Sequence, residues 1–262
     1  MKIGFIGGGN MGGALINGLI KSGHSPQDIY LCEMNSERAK MFGGKGVNTV
    51  ARAFEAEEHS DIIIFSVKPN VIDSVLGEMK GYDNKIYLSI AAGVTVAHLE
   101  EMLGADKKIV RAMPNTPAQV GCGMTVITPN GNMTDDETKS VEDILSGVGL
   151  TEVMPEKFMS AATALHGSSP AYVYMFIDAM ADAGVAYGLT KAQALKLAAQ
   201  AVEGSAKMVL ETGLHPEQLK DNVCSPGGTT IAAVCDLEEN GFRAVVQSAV
   251  RACVDKAEEM SK

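Results

Sequence analysis

The sequence contains no tryptophan, no Cys-x-x-Cys pair and no run of five or six like charges among its 262 residues. Its formal net charge is −10 at pH 7, which argues against a nucleic-acid partner because phosphate binding requires clustered Lys and Arg. The five cysteines show no metal-ligand spacing with histidine. We therefore expect reduced thiols, no metal site and no nucleic-acid partner.

The sequence also shows no export signal and no membrane span. The N-terminal residues lead directly into a strand pattern, without a basic region, a long apolar stretch and a cleavage site. The most apolar region, residues 161–189, is interrupted by His166, Asp178 and Asp182, so it predicts buried helix rather than a membrane-spanning segment. We expect a cytoplasmic protein with no membrane partner.

What the sequence does contain is a regular alternation of two patterns up to about residue 155. Short apolar runs, which predict strands, alternate with amphipathic helical stretches. The predicted strands are residues 3–6, 29–32, 62–67, 86–91, 109–113 and 124–128. Runs that are apolar throughout indicate strands covered on both faces, and the alternation indicates βαβ crossovers in a mostly parallel sheet.

A glycine-rich turn lies between the first predicted strand and the first helix. Gly7, Gly9 and Gly12 have the spacing G-x-G-x-x-G. Gly7 permits the tight turn, Gly9 lets the backbone approach a pyrophosphate, and Gly12 lets the helix pack on its strand. The helix N-terminus, with Asn10 and Met11, offers N–H groups to the diphosphate. The turn predicts a dinucleotide site.

Glu33 follows the second predicted strand, twenty-one positions after Gly12 (33 minus 12). A carboxylate there accepts both hydroxyls of an adenosine ribose and repels a 2′-phosphate, which favours NADH. Asn35, Ser36 and Arg38 come next and offer phosphate ligands if Glu33 turns away. NADPH therefore stays open, as does the alternative that Glu33 is only a solvated strand-end residue.

Three further loops follow predicted strands at the edge where ligands bind in open α/β sheets. Their predicted cofactor-binding residues are Ser66, Val67, Lys68, Pro69, Ala91, Ala92, Gly93, Pro114 and Asn115. Proline and small residues make stiff turns that let ribose and nicotinamide approach, although ordinary turn chemistry is an alternative for each loop. With the glycine turn, these loops predict an α/β Rossmann-type NAD(P)-binding domain over residues 1–155.

Residues 156–262 show no strand pattern and predict an all-helical domain of four or five helices. Small residues and methionine recur at helical spacing, for example at Ala201, Gly204 and Met208, and allow helices to approach closely. The alternative to a core within one chain is an interface with a second copy. We expect an all-α dimerisation domain and a homo-oligomer.

The helical half contains a second glycine turn, Ser-Pro-Gly-Gly-Thr-Thr at residues 225–230, followed by an apolar helix. Backbone N–H groups and hydroxyls at a helix start form an anion site of the size of a carboxylate. The predicted substrate-binding residues are Ser225, Gly227, Gly228, Thr229 and Thr230. From the residues alone, a simple helix cap remains the alternative.

These motifs together resemble the pyrroline-5-carboxylate reductase family. The resemblance rests on G-G-G-N-M-G at residues 7–12, V-K-P at 67–69, M-P-N-T-P at 113–117, G-S-S-P-A-Y at 167–172 and L-K-D-N-V-C-S-P-G-G-T-T-I-A at 219–232. It implies a Rossmann domain followed by a helical domain that dimerises, with dimers often gathering into rings. It also implies an active site between the nicotinamide and the helical domain, in part across the dimer.

The resemblance implies a reaction and a catalytic residue as well. The implied reaction is hydride transfer from NADPH or NADH to the imine carbon of 1-pyrroline-5-carboxylate, giving L-proline. The turn at residues 225–230 is implied to hold the substrate carboxylate, and Thr230 is implied to place its hydroxyl near the imine nitrogen as the catalytic residue. A protonated imine is already electrophilic, so orientation and electrostatics suffice without a strong base or metal.

The sequence departs from the family pattern in three places. Glu33 and Met34 stand where many members have Asn-Arg or Ser-Arg, with Arg on the 2′-phosphate. His166 begins a His-Gly-Ser-Ser-Pro segment where many have Ser-Gly-Ser-Gly-Pro, and an Asn frequent before the third helix is absent near residues 51–55. His166 is a packing residue at a helix break or, alternatively, a proton donor. Cofactor preference stays open.

Two other functions remain as alternatives. A 3-hydroxyacid-type dehydrogenase shares the domain plan but needs a Lys on the first long helix of its second domain, and residues 170–187 contain none. A non-catalytic paralogue that binds dinucleotide in a regulatory role would not need the intact turn at residues 225–230.

Overall fold

In the computed structural model, which describes residues 1–260, eight strands form a single sheet in the order β3-β2-β1-β4-β5-β6-β7-β8. The strands are β1 Ile3–Ile6, β2 Ile29–Cys32, β3 Asn48–Val50, β4 Ile62–Phe65, β5 Ile86–Ser89, β6 Lys108–Met113, β7 Gly123–Pro129 and β8 Gly149–Val153. All neighbouring pairs are parallel except β6 and β7. The prediction of a mostly parallel sheet is therefore confirmed.

Helices connect the strands and make up most of the chain after β8. They are α1 Asn10–Lys21, α2 Ser36–Gly43, α3 Ala53–His59, α4 Pro69–Leu76, α5 Val96–Leu103, α6 Asp135–Ser146, α7 Met159–Ala162, α8 Ser169–Ala186, α9 Lys191–Thr212, α10 Pro216–Val223, α11 Thr229–Glu239 and α12 Phe242–Met260. A π-helical turn, Thr163–Gly167, joins α7 to α8. It occupies the position of the helix break predicted around His166.

The core lies on both faces of the sheet, because successive side chains of a strand point to opposite faces. In β4, Ile62 and Ile64 join one buried cluster, while Ile63 and Phe65 join the other. All four side chains are buried. This double coverage explains why the central strands are apolar throughout.

Predicted and observed strands agree best in the middle of the sheet. β1 and β2 have the predicted bounds, whereas β4 and β5 end two residues earlier than predicted, at Phe65 and Ser89. β3 and β8 were not predicted. They are the two edge strands, and both are largely exposed or half-buried.

The chain divides into two compact units, one of residues 1–168 together with those from 254 onward, the other Ser169–Cys253. The predicted boundary between residues 155 and 156 follows the last strand instead, and it remains a prediction. An α/β unit accompanied by a helical unit agrees with the predicted fold class. Among the described residues, no helix is both long and apolar enough to span a bilayer.

The helical unit has very little apolar core of its own. The only buried apolar residues between Ser169 and Cys253 are Ala181, Ala194 and Ala198. Large apolar side chains are exposed instead, the most exposed being Tyr187, Met175, Leu210 and Val245. Apolar exposure on this scale indicates an interaction surface.

Candidate functional site

The glycine turn after β1 is closed so tightly that two of its positions exclude a side chain. Gly7 has φ +101°, and a Cβ there would lie 2.7 Å from the Ser66 carbonyl oxygen. A Cβ on Gly12 would lie 2.4 Å from the Gly7 oxygen and 2.5 Å from Ser66 Oγ. Ser66 Oγ also donates to the Gly7 carbonyl at 2.5 Å, so the loop after β4 holds the turn in place.

The N-terminus of α1 has the properties of an anion site. Its N-cap, Gly9, has no side chain, and the first turn carries no acidic residue. The space above Gly9 is open, since a Cβ there would meet only Arg38 Nη1, at 3.8 Å. Asn10 is exposed and Met11 is half-buried. Uncapped N–H groups, open space and a nearby cation fit a diphosphate.

Glu33 is fixed by hydrogen bonds at the end of β2. Its Oε2 accepts from the Gly8 N–H at 2.7 Å, and its Oε1 accepts from the Asn35 N–H at 2.7 Å. Arg38 Nη1 lies 3.5 Å from Oε2, and only 8% of the Glu33 side chain is exposed. The alternative of a solvated strand-end Glu is therefore wrong, because this carboxylate is part of the glycine turn.

A cleft of about 570 Å³ lies over the carboxyl ends of β1, β2 and β4. Gly7, Gly9, Glu33, Ser66, Val67 and Lys68, all predicted cofactor residues, line it together with Cys32, Met34, Arg38, Arg52 and Glu78. The parallel strands bring these loops to one edge. Arg52, Cys32 and Glu78 were not predicted; Arg52 is 3.3 Å from Glu78 through its Nε.

The cleft contains a thiol that stays protonated. Burial, reinforced by the negative charges of Glu78 and Glu33, raises the pKa of Cys32. Its Sγ lies 3.8 Å from the Ala51 carbonyl oxygen. Because the thiolate is the reactive form, Cys32 is a wall of the cleft rather than a nucleophile.

Three more of the predicted cofactor residues, from the loops after β4 and β5, lie on a neighbouring cleft of about 590 Å³. Pro69, Ala92 and Gly93 line it, whereas Ala91 is buried. Gly93 has φ +79°, and a Cβ there would approach the Met260 oxygen to 3.2 Å. The loop needs glycine at this position because other residues rarely adopt such a φ.

The loop after β6 is held by side-chain hydrogen bonds. Pro114 and Asn115 are buried, and Asn115 Nδ2 donates to the His166 carbonyl oxygen at 2.9 Å. Asn115 Oδ1 accepts from the Met124 N–H, also at 2.9 Å. Both ring nitrogens of His166 contact carbonyl oxygens, those of Ala162 and Met113. These contacts favour a packing role for His166 over that of a proton donor.

The turn at residues 225–230 leads into α11 without a side-chain cap. Gly227 has φ +67°, which favours glycine, whereas Gly228 has φ −82° and a Cβ there would lie 2.3 Å from the rotatable Ser225 Oγ and 3.1 Å from the Ser225 carbonyl oxygen. The N-cap of α11 is Gly228, no side chain caps the helix, and its first turn has no acidic residue. Thr229 is exposed and Thr230 half-buried. The helix-cap alternative is therefore not what the structure contains.

Sheet order, glycine turn and uncapped α1 together define a Rossmann-type dinucleotide-binding enzyme with a helical second unit. Residues 2–93 match the family model described as NADP oxidoreductase, coenzyme F420-dependent. Residues 156–260 match the model described as pyrroline-5-carboxylate reductase dimerisation.

Whole-chain similarity narrows this class. The pyrroline-5-carboxylate reductase of Escherichia coli (strain K12) is 51% identical over 265 residues, which cover 100% of this chain and 98% of that protein. A solved pyrroline-5-carboxylate reductase from Coxiella burnetii is 36% identical with a TM-score of 0.95, covering 100% of this chain and 98% of that one. Another, from Plasmodium falciparum with NADP bound, is 37% identical with a TM-score of 0.89 and the same coverage. The chain belongs to the pyrroline-5-carboxylate reductase family.

Membership in this family confirms the predicted assignment to the pyrroline-5-carboxylate reductases rather than to the 3-hydroxyacid-type dehydrogenases. The chain is an oxidoreductase of an NADP-binding family, and it carries a dimerisation domain. Among the described residues, no group of three or more His, Cys, Asp or Glu side chains is arranged to hold a metal ion.

Proposed function

We propose that the protein reduces 1-pyrroline-5-carboxylate to L-proline, the last step of proline biosynthesis, and accepts NADH readily beside NADPH. The observation that supports the substrate assignment is the turn at residues 225–230, where Gly228 caps α11 without a side chain and the first turn carries no acidic residue, so the start of the helix is open to an anion. The 51% identical reductase of E. coli supports the reaction.

The proposed substrate site uses donors that the turn does not consume. The Gly228 N–H already donates to the Ser225 carbonyl oxygen at 3.0 Å. The N–H groups and hydroxyls of Thr229 and Thr230 are the donors at the helix start, where the dipole favours negative charge. We assign the substrate carboxylate to them, with the Ser225 hydroxyl at the rim.

Thr230 is the proposed catalytic residue. With the substrate carboxylate bound at the start of α11, the Thr230 hydroxyl lies near the ring nitrogen of the imine. There it orients the ring or helps to deliver a proton to that nitrogen. The bound nicotinamide supplies the hydride. Because the iminium is already electrophilic, the chain contributes binding, orientation and the exclusion of water.

The proposed cofactor site is the cleft over β1, β2 and β4. The start of α1 would hold the diphosphate, and Glu33 would accept the ribose hydroxyls with lone pairs that Gly8 and Asn35 leave available. Turning Glu33 away for a 2′-phosphate would break both of those hydrogen bonds, which is our reason to expect ready use of NADH. Arg38, Arg52 and Lys68 line the same cleft and are the cations that NADPH would use.

The test is a spectrophotometric assay of NADH and NADPH oxidation with 1-pyrroline-5-carboxylate, with the product identified by chiral chromatography. We expect substrate-dependent oxidation of both cofactors and stoichiometric L-proline. Absence of substrate-dependent oxidation, or a product other than L-proline, would contradict the proposal.

A further inference from the structure

The His166 ring joins the end of the sheet to the start of the π-helical turn. Its Nε2 lies 2.7 Å from the carbonyl oxygen of Met113, the last residue of β6. Its Nδ1 lies 2.6 Å from the carbonyl oxygen of Ala162, the last residue of α7. Whichever ring nitrogen carries the hydrogen, this side chain contacts two elements that are 49 residues apart in sequence (162 minus 113).

The same residue is bound a second time through its backbone. Asn115 Nδ2 donates to the His166 carbonyl oxygen, and Asn115 Oδ1 accepts from the Met124 N–H. We call the set Met113, Asn115, Ala162 and His166 the His166 bridge. Its contacts reach the chain at Met113 and Asn115, one on each side of Pro114.

Backbone hydrogen bonds fix the second part of the loop, the 3₁₀ helix Thr116–Val120, where the Ala118 N–H donates to the Asn115 carbonyl oxygen, but the segment around Pro114 has fewer donors. Pro114 and Pro117 have no N–H, so two positions of the loop cannot donate a backbone hydrogen bond.

Met113 and His166 are half-buried, and Met113 is also paired with Val126 of the antiparallel neighbour β7. The turn Thr163–Gly167, which contains His166, is π-helical. This geometry is rare in proteins, and where it occurs it is often at a functional site.

Sheet order indicates which half of a dinucleotide meets this loop. Glu33, the proposed ribose ligand of the adenosine half, follows β2, and the proposed diphosphate site follows β1. β4, β5 and β6 continue on the other side of β1, so the loop after β6 lies on the side left for the nicotinamide half.

We infer that His166 is a positioning residue, whose ring holds the Met113–Asn115 segment in the conformation that contacts the nicotinamide half of the cofactor. The inference rests on the proposed function for the identity of the cofactor, but not on turnover of the substrate. Hydride transfer is sensitive to displacement on the order of 1 Å, so such a residue acts on the reaction without touching it.

The experiment compares two ligands, of which one carries the nicotinamide ring and the other lacks it. Dissociation constants of NADH and of ADP-ribose are measured by fluorescence and by calorimetry for the wild type and for His166→Leu. We expect NADH to bind about fivefold more weakly or worse to the variant, the loss of one ordinary hydrogen bond, and ADP-ribose to bind as it does to the wild type. A purely structural role would weaken both ligands or neither.

A second variant breaks the His166 bridge from the loop side. Asn115→Asp keeps the acceptor for the Met124 N–H but loses the donor to the His166 carbonyl. We expect the same selective loss of NADH affinity in this variant. It therefore tests the inference even if His166→Leu does not fold. His166→Gln, which keeps a side-chain amide donor, should recover part of the affinity.

The matched control is His59→Leu. His59 is exposed at the end of α3 and stacks on Tyr30, so it tests the general effect of losing a histidine contact. We expect unchanged affinity for both ligands. Equal weakening of NADH and ADP-ribose in the bridge variants, or no weakening of NADH, would overturn the inference. Because neither measurement uses 1-pyrroline-5-carboxylate, failure of the proposed function would show separately, in the assay of NADH oxidation.

Discussion

Glu33 combines two tasks at one carboxylate, since it fixes the Gly8 N–H and Asn35 N–H and also places negative charge on the cleft. Glu33→Gln keeps the side-chain shape and one acceptor oxygen but removes the charge. We expect kcat/KM with NADPH to rise relative to kcat/KM with NADH. The variant no longer repels a 2′-phosphate, and Arg38 loses its ion pair with residue 33 and becomes available to bind that phosphate.

Steady-state kinetics with both cofactors check this prediction, and thermal unfolding separates it from a loss of the turn. Glu33→Ala serves as the comparison, because it should raise NADPH use as well but at a greater cost in stability. If kcat/KM of the wild-type enzyme is at least about tenfold higher with NADPH than with NADH, a difference of about 1.4 kcal/mol, the expected ready use of NADH is refuted.

Thr230 gives the second prediction at the scale of one residue. Thr230→Ala removes a hydroxyl whose hydrogen bond we expect to strengthen in the transition state, whereas Thr230→Ser retains it. Loss of one such donor costs about 2.7–4 kcal/mol at favourable sites, and we expect the lower end, about 10²-fold in kcat, because a neutral hydroxyl meets a cationic ring.

The measurement is kcat and KM for both variants, with the cofactor dissociation constant as a control. Cofactor affinity should not change, and Thr230→Ser should retain much of the rate. If Thr230→Ala keeps nearly full kcat while KM for the substrate rises, the residue only binds.

Single residues also mark the limit of prediction from sequence. The tasks of Gly7 and Gly12 follow from their spacing, and the contacts that a Cβ would make agree. The bond between Gly8 and Glu33 spans 25 positions, and no local pattern encodes it. Arg52 was missed for a related reason, because it follows β3, an edge strand without an apolar run.

At the scale of elements, the apolar-run criterion succeeds only where both faces of a strand are covered. β3 is Asn-Thr-Val and β8 is Gly-Leu-Thr-Glu-Val, so neither contains a continuous apolar stretch. Both form edges of the sheet, where polar and charged residues limit pairing with other chains. The central sheet and the loops at its carboxyl edge could therefore be predicted, but its full width could not.

Two glycine substitutions at the start of helix α1 separate an effect on cofactor binding from an effect on stability. Gly12→Ala places a methyl group against the Gly7 oxygen and Ser66 Oγ, so we expect a loss of about 1–3 kcal/mol in the free energy of unfolding. Gly9→Ala places a methyl group in open space, so it should cost at most about 1 kcal/mol as an N-cap change. It should nevertheless weaken binding of both cofactors by filling the approach of the diphosphate.

Urea unfolding and fluorescence titration measure the two effects. Gly43→Ala in α2 is the control, because a Cβ there meets only Thr49 at an ordinary 3.8 Å. It should leave cofactor affinity unchanged and stability unchanged or slightly raised. Unaltered cofactor affinity in Gly9→Ala would rule out the diphosphate at the start of α1.

At the scale of the molecule, the small core of the helical unit leads us to predict an obligate oligomer. Three alanines are the only buried apolar residues of this unit, residues 169–253. Burial of so little apolar surface does not offset the conformational entropy that its helices lose on folding. We expect a dimer or larger assembly by light scattering. Met175→Glu, at a side chain 73% exposed on α8, should lower the mass and the melting temperature together.

Val120→Glu provides the matched control for assembly, because Val120 is similarly exposed, at 74%, but belongs to the α/β unit. It should leave the oligomeric mass unchanged. A fully active monomer of the wild type at assay concentrations would contradict the expected assembly.

The nearly absent core of the helical unit also ties the survival of the enzyme to its abundance. If apolar helix faces are covered only by a second chain, association and folding form one equilibrium, and dilution acts as a denaturant. Each tenfold dilution of a two-chain species then removes about 1.4 kcal/mol from its apparent stability. The melting temperature should accordingly fall with protein concentration, and a scarcely expressed copy should be degraded faster than an abundant one with the same sequence.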